Sequence, residues 1–200
     1  MLAFACASAN ADITYYFGGT LSSAFGTQPA GTQFNGSFSY AYPQSPINSE
    51  SSQFGRVADY MLQNLNVTVG SQQLSWINRI GEARITVLNN YFSGSNDGVS
   101  RIDVDAFIID NSEYRRSVGG ESDFFGLLLL DESGRAFSSN ALVNDSMRID
   151  QFNYTEFTFD SSLGPTFNSN LTYLIIPEPS SLSLLALGGA VVALCRRKLA

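Results

Sequence analysis

Apolar and polar residues alternate along most of this chain with a period of two. Phe34, Phe38, Tyr40 and Tyr42 share one parity, and Asn35, Ser37, Ser39 and Ala41 lie between them. That is the pattern of a strand with one buried face. Residues 13–17 are β-branched and aromatic, end at Gly18-Gly19 and predict a strand before it. Residues 59–69 predict another, best at Leu65, Val67 and Val69, and residues 74–77 a short one. Residues 84–88 place Ile85 and Val87 on one face. Residues 101–109 alternate most cleanly, with Ile102, Val104, Ala106 and Ile108 against Arg101, Asp103 and Asp105. The acids are expected on the solvated face. Residues 124–130 are apolar apart from Gly126 and predict a strand buried on both faces, central in its sheet. Residues 152–159 change parity between Tyr154 and Phe157, which predicts a bulge near Glu156. Residues 171–176 predict the last strand.

Turn signals separate these runs. Residues 24–31 and 43–52, rich in Gly, Pro, Ser and Asn, read as loops. Residues 93–98 contain Asp97-Gly98, a strong turn dipeptide. Asp131-Glu132-Ser133-Gly134 predicts a tight turn, with Ala136-Phe137 starting a returning strand. No stretch before residue 177 offers an apolar stripe of helical period, and no repeat of 20–50 residues is visible. The predicted fold is all-β, an antiparallel β-sandwich of jelly-roll type. Its expected core includes Phe38, Val67, Val87, Val104, Leu128 and Phe157.

The pattern changes at residue 177. Pro177-Glu178-Pro179 is followed by Ser180-Ser181, an apolar run to Cys195, and then Arg196-Arg197-Lys198. The prolines favour extended backbone and uncouple the tail from the body. A helix over residues 180–195 would span roughly 24 Å, short against a bilayer core of about 30 Å. The basic end is expected on the cytoplasmic side, which puts the body on the outer side. Three features in this order resemble proteins with a PEP-CTERM sorting tail. The resemblance implies export, recognition of the tail by a membrane-embedded exosortase, and cleavage near the Pro-Glu-Pro motif. Runs similar to residues 18–40 and 128–159 recur in bodies that carry such tails.

Residues 1–11 read as the remnant of a signal peptide, with Ala9-Asn10-Ala11 as a small-x-small cleavage site. Ala3-Phe4-Ala5-Cys6 is a poor match to a lipidation site. The chain thus divides into a leader remnant (1–11), a β-sandwich body (12–176) and a sorting tail with a hydrophobic helix and basic end (177–200).

The body holds eight arginines, no lysine and seventeen acids, net −9. That balance argues against nucleic acid or an anionic membrane surface as a partner. The chain has no histidine, so the commonest general base and zinc ligand are missing. The two cysteines, Cys6 and Cys195, lie outside the body, which excludes a disulfide framework and thiol chemistry there.

The remaining candidates are weak patterns. Asp97, Asp103 and Asp105, or Asp131 with Glu132, offer hard oxygen ligands for calcium, without the spacing of a known calcium loop. Asp103 and Asp105 also have the spacing of a paired-carboxylate hydrolase. Trp76, with Tyr60 and Tyr91, is a candidate sugar-stacking face. Asn35, Asn66, Asn144, Asn153 and Asn170 each begin an Asn-x-Ser/Thr triplet. The expected function is that of an exported, non-enzymatic protein of the cell surface or extracellular matrix. Its expected partners are exosortase and the inner membrane during sorting, and extracellular polysaccharide afterwards. A carbohydrate- or calcium-binding module is the alternative. Because the body lacks cysteine, its melting temperature should be the same with and without reductant; a drop on reduction, read by differential scanning fluorimetry, would contradict this composition argument.

Overall fold

The computed structural model describes residues 11–52, 55–75, 83–92, 103–111, 124–142, 147–160 and 166–176. They form eleven strands and one 3₁₀ turn. The strands are β1 (Ala11–Thr20), β2 (Gln33–Tyr42), β3 (Asn48–Ser52), β4 (Gly55–Met61), β5 (Asn64–Val69) and β6 (Gln72–Ser75). β7 (Arg84–Phe92), β8 (Asp103–Asp110), β9 (Phe124–Asp131), β10 (Tyr154–Asp160) and β11 (Thr166–Ile175) follow, with the turn at Ile149–Gln151 before β10. The order across the sheet is β3-β4-β7-β8-β9-β10-β11-β1-β2-β5-β6. Every pairing is antiparallel.

One strand joins the two halves of this sheet. Residues 166–170 of β11 pair with β10, from Asp160↔Thr166 to Glu156↔Asn170. Its later residues pair with β1, from Gly19↔Leu171 to Tyr16↔Ile175. The sheet bends over this shared strand so that its halves face each other. Ring contacts between strands that are not sheet neighbours require this: Phe38 of β2 lies 5.7 Å from Phe107 of β8, and Phe17 of β1 lies 5.5 Å from Phe157 of β10. The sandwich-like arrangement of the two halves follows. Most sheet neighbours are also neighbours in sequence, β7 to β11 running as one meander. The paired Greek keys of a jelly roll are not the pattern seen among the described strands.

Aromatic residues fill the space between the halves. Phe157 lies 5.5 Å from Phe17, 5.8 Å from Phe34 and 5.7 Å from Phe167. It thus connects β10, β1, β2 and β11. Tyr15, Phe17, Phe34, Phe38, Tyr40, Phe107 and Phe157 are all fully buried. Gly36 faces Phe17 across the β1–β2 ladder, and a Cβ there would lie 2.3 Å from the ring, so only glycine leaves room for it.

Of the expected core, Phe38, Val67, Val87, Val104 and Phe157 are buried, while Leu128 is only half-buried. β9 alternates: Phe125, Leu127, Leu129 and Asp131 point inward, and Phe124, Gly126, Leu128 and Leu130 lie half-exposed on the other face. An apolar run fixes the strand but not the covering of its second face. Residues 48–52, expected within a loop, form the edge strand β3, exposed at all five positions. β4 supplies its hydrogen bonds, so it needs no apolar pattern. β10 pairs with β9 and β11 without a bulge. The change of parity arises because Phe152 is buried ahead of the strand, just after the 3₁₀ turn. Ala136-Phe137 form no strand. Residues 76–77, 93–98 and 101–102 lie outside the described residues, as does the expected tail helix. Among the described residues no helix is long and apolar enough to cross a membrane.

This packing separates two truncations of similar chemistry. Phe157→Ala should lower the stability of the body by about 3–5 kcal/mol, whereas Leu128→Ala, on the half-covered face, should cost about 1 kcal/mol or less. Urea midpoints of the two variants check the difference, and equal losses would contradict the inward orientation of Phe157.

Candidate functional site

Two places in the body concentrate polar or exposed groups of possible use. The first is the loop after β9. Asp131 ends that strand on its inward parity and is buried. One carboxylate oxygen accepts the Ser133 amide at 2.9 Å and its hydroxyl at 2.7 Å; the other accepts the amides of Arg135 at 2.8 Å and Ala136 at 2.9 Å. Burial disfavours the charged form. The Ser133 hydroxyl and the three amides outweigh it and hold the Asp131 pKa below its ordinary 3.8.

Asp105 is fully buried as well. Its Oδ1 accepts the Asn90 amide at 2.8 Å and its Oδ2 the Phe137 amide at 2.7 Å. The Asn89 side chain donates to the Phe137 carbonyl at 2.7 Å, so strands β7 and β8 grip both backbone groups of Phe137. Asn140 donates to the Val57 carbonyl at 3.1 Å, and the Tyr60 hydroxyl donates to the Asn140 carbonyl at 2.9 Å. The segment after β9 is thereby pinned across the ends of β8, β7 and β4. These carboxylates bind the protein's own amides.

That geometry corrects several expectations. Asp105 is not on a solvated face: Phe107 and Ile109, of its own parity, are core residues. Its carboxylate is buried and bonded to the Asn90 and Phe137 amides, so it has no exposure to offer a substrate. Asp97 lies outside the described residues. Asp103 begins β8 opposite Phe92, and its side chain lies outside the description. Among the described residues no group of three or more acids or cysteines is gathered that would hold a metal ion. Glu132 is exposed. Tyr60 is buried and cannot join Trp76, outside the described residues, and half-buried Tyr91 in an exposed stacking face. Asn35, Asn153 and Asn170 are exposed and Asn66 half-buried; Asn144 lies outside the described residues.

The outer face of β8–β10 carries a shallow hollow of about 290 Å³, lined by Ile108, Phe124 and Leu128 together with Asp110, Glu156 and Thr158.

The second place is the end of β11. Leu171 and Leu174 point into the core, Ile176 packs against it, and Ile175 is 54% exposed. Ile175 faces Tyr16, itself 43% exposed, across the β11–β1 ladder. The register shifts between Gly18 and Gly19, which leaves Thr172 as the extra residue on β11. Its hydroxyl donates to the Gly18 carbonyl at 3.2 Å. Tyr173 lies over Gly18, where a Cβ would meet its ring at 2.6 Å, and donates to Asn35 at 2.8 Å. Burial raises the Tyr173 pKa. Pro177 is the second residue after Ile175.

Residues 176–198 match the family model of the PEP-CTERM protein-sorting motif. The match covers Pro177, Glu178 and Pro179 and the basic Arg196, Arg197 and Lys198, all outside the described residues. It covers none of the body apart from Ile176. No curated protein and no solved structure matches the chain. The PEP-CTERM motif was legible from residue order alone. The place of Tyr16, Tyr173 and Ile175 beside it was not, although Ile175-Ile176-Pro177 does show a strand running straight into the motif.

Asp131 provides a pH test. Because its folded-state pKa is depressed, its contribution is complete above the unfolded-state pKa and is lost as pH falls through the folded-state pKa. Asp131→Asn should therefore lower stability at pH 7 by about 1–3 kcal/mol through unpaired amides, and the deficit should shrink towards pH 2. Urea midpoints across that range check it; a deficit independent of pH would contradict the role of the charge.

Proposed function

We propose that this protein is an exported, non-enzymatic component of the cell surface or extracellular matrix, delivered and processed by an exosortase through its tail. The supporting observation is the PEP-CTERM match at residues 176–198, set directly behind the last strand of an all-β body. In this reading the apolar run of residues 180–195 holds the precursor in the inner membrane, with Arg196, Arg197 and Lys198 on the cytoplasmic side. Pro177-Glu178-Pro179 then lies between bilayer and body. Neither proline can donate an N–H to a strand or helix, so the motif presents extended backbone to the processing enzyme. The body contributes a sheet whose edge strands β3 and β6 are mostly polar and whose composition is acidic.

Replacing Pro177, Glu178 and Pro179 together by Ala should leave membrane insertion intact and block release of the body. Replacing the three basic residues by Ser should weaken orientation and retention instead. Immunoblots of membrane and culture fractions, from a host with a matching exosortase, check both. Wild-type release of the triple-Ala variant would contradict exosortase sorting.

A further inference from the structure

The sorting motif begins almost where the folded body ends. An enzyme acting on backbone binds it extended, through main-chain hydrogen bonds on either side of the bond it cuts. On the body side of Pro177 that stretch of chain is residues 173–176. In the folded protein it is occupied: Tyr173, Leu174 and Ile175 pair with Gly18, Phe17 and Tyr16.

Three features mark this strand end as separable from the rest of β11. It is laddered to β1 alone, since the pairing with β10 stops at Asn170. The extra residue at Thr172 breaks the β1 ladder before it. Of its residues only Leu174 is buried in the core, Tyr173 and Ile176 are half-buried, and Ile175 is exposed. By contrast, Phe167, Ser169 and Leu171, ahead of the break, are all buried. Opening from Tyr173 onward therefore leaves the joint between the two half-sheets intact.

We propose that residues 173–176 are a transferable strand end: seated on β1 in the resting body, and lifted off it to be held in extended form by the processing protease. The proposal rests on exosortase sorting and assigns to it a second recognition segment, N-terminal to Pro177-Glu178-Pro179. Its position opposite β1 makes the body a brake on its own release. Local opening of a strand end is a low-stability event of the kind that precedes proteolysis.

Locking the strand end down tests this. In a Cys6→Ser, Cys195→Ser background of the full chain, Tyr16→Cys with Ile175→Cys places two thiols on directly opposed positions. Unreduced mass counts the cross-linked molecules, and their release is followed by immunoblot as above. Cross-linked molecules should be released at least about five-fold more slowly than either single-cysteine variant, with reductant restoring the rate. Release at the single-cysteine rate would overturn the proposal. Truncation provides an arm that needs no cross-link. Leu174→Ala should speed release by about two-fold or more, while Leu129→Ala, a buried truncation in β9, should not. Equal acceleration by both, or by neither, would overturn the proposal. Release that depends on Pro177-Glu178-Pro179 but not on the lock sinks this inference alone; release independent of the motif sinks the sorting function itself.

Discussion

The structure depends on one constraint: β11 belongs to both halves of the sheet. Residues 166–170 complete the β10 side and residues 171–175 the β1 side. No residue of the strand carries both ladders. This division lets one strand turn the corner between two facing layers, and it places Phe167 beside Phe157, Phe34, Phe25 and Phe159 at the joint. Without β11 the sheet would separate into two open pieces, each with an apolar face in water. The strand is also the last of the described strands, and the joint rests on Phe167, Ser169 and Leu171, which are all buried.

The second organising feature is the treatment of the open end of the sandwich. Two buried carboxylates, Asp105 and Asp131, could be costly if left without partners. Asp131 instead collects the amides of Ser133, Arg135 and Ala136 from the segment after β9, and Asp105 takes the Phe137 amide from that segment and the Asn90 amide from β7. Phe137 is held at both backbone groups and its ring packs 5.9 Å from Phe152. The acids do the work that a ladder would do elsewhere. Their oxygens are engaged by backbone amides, a use that residue spacing alone does not reveal.

Most strands were legible because one buried face imposes a period of two. β8 shows the limit of that rule. Val104, Ala106 and Ile108 have one parity and Phe107 and Ile109 the other, so both faces are apolar and the pattern does not say which faces inward. Asp105 tipped the expectation the wrong way, because an acid whose oxygens receive amides can sit on the inward parity. β3 was missed for the opposite reason: Asn48, Ser49, Glu50, Ser51 and Ser52 form an edge strand that buries no side chain. The tail was legible through residue order, because prolines, an apolar run and a basic end each have a distinct physical signature. What lies upstream of it was not, since the pairing of Ile175 with Tyr16 joins residues 159 positions apart in the chain.

The shortness of the connection between body and tail has a mechanical consequence under the proposed function. From Ile175 to Ser180 the chain spans at most about 17 Å when extended. A precursor held by its apolar run therefore keeps the end of β11 close to the membrane surface, where the net charge of the body would be repelled by anionic headgroups. That repulsion and the tether pull in opposite directions along the same few residues. The residue pairs that resist the pull are those beyond the Thr172 break, and Ile175, the outermost, is the least buried of them. Tension would act first on the strand end that the enzyme needs and last on Phe167 and Leu171, which hold the two half-sheets together. A body joined to its tail by a long linker would feel no such load, and its last strand could be seated on both flanks without hindering release.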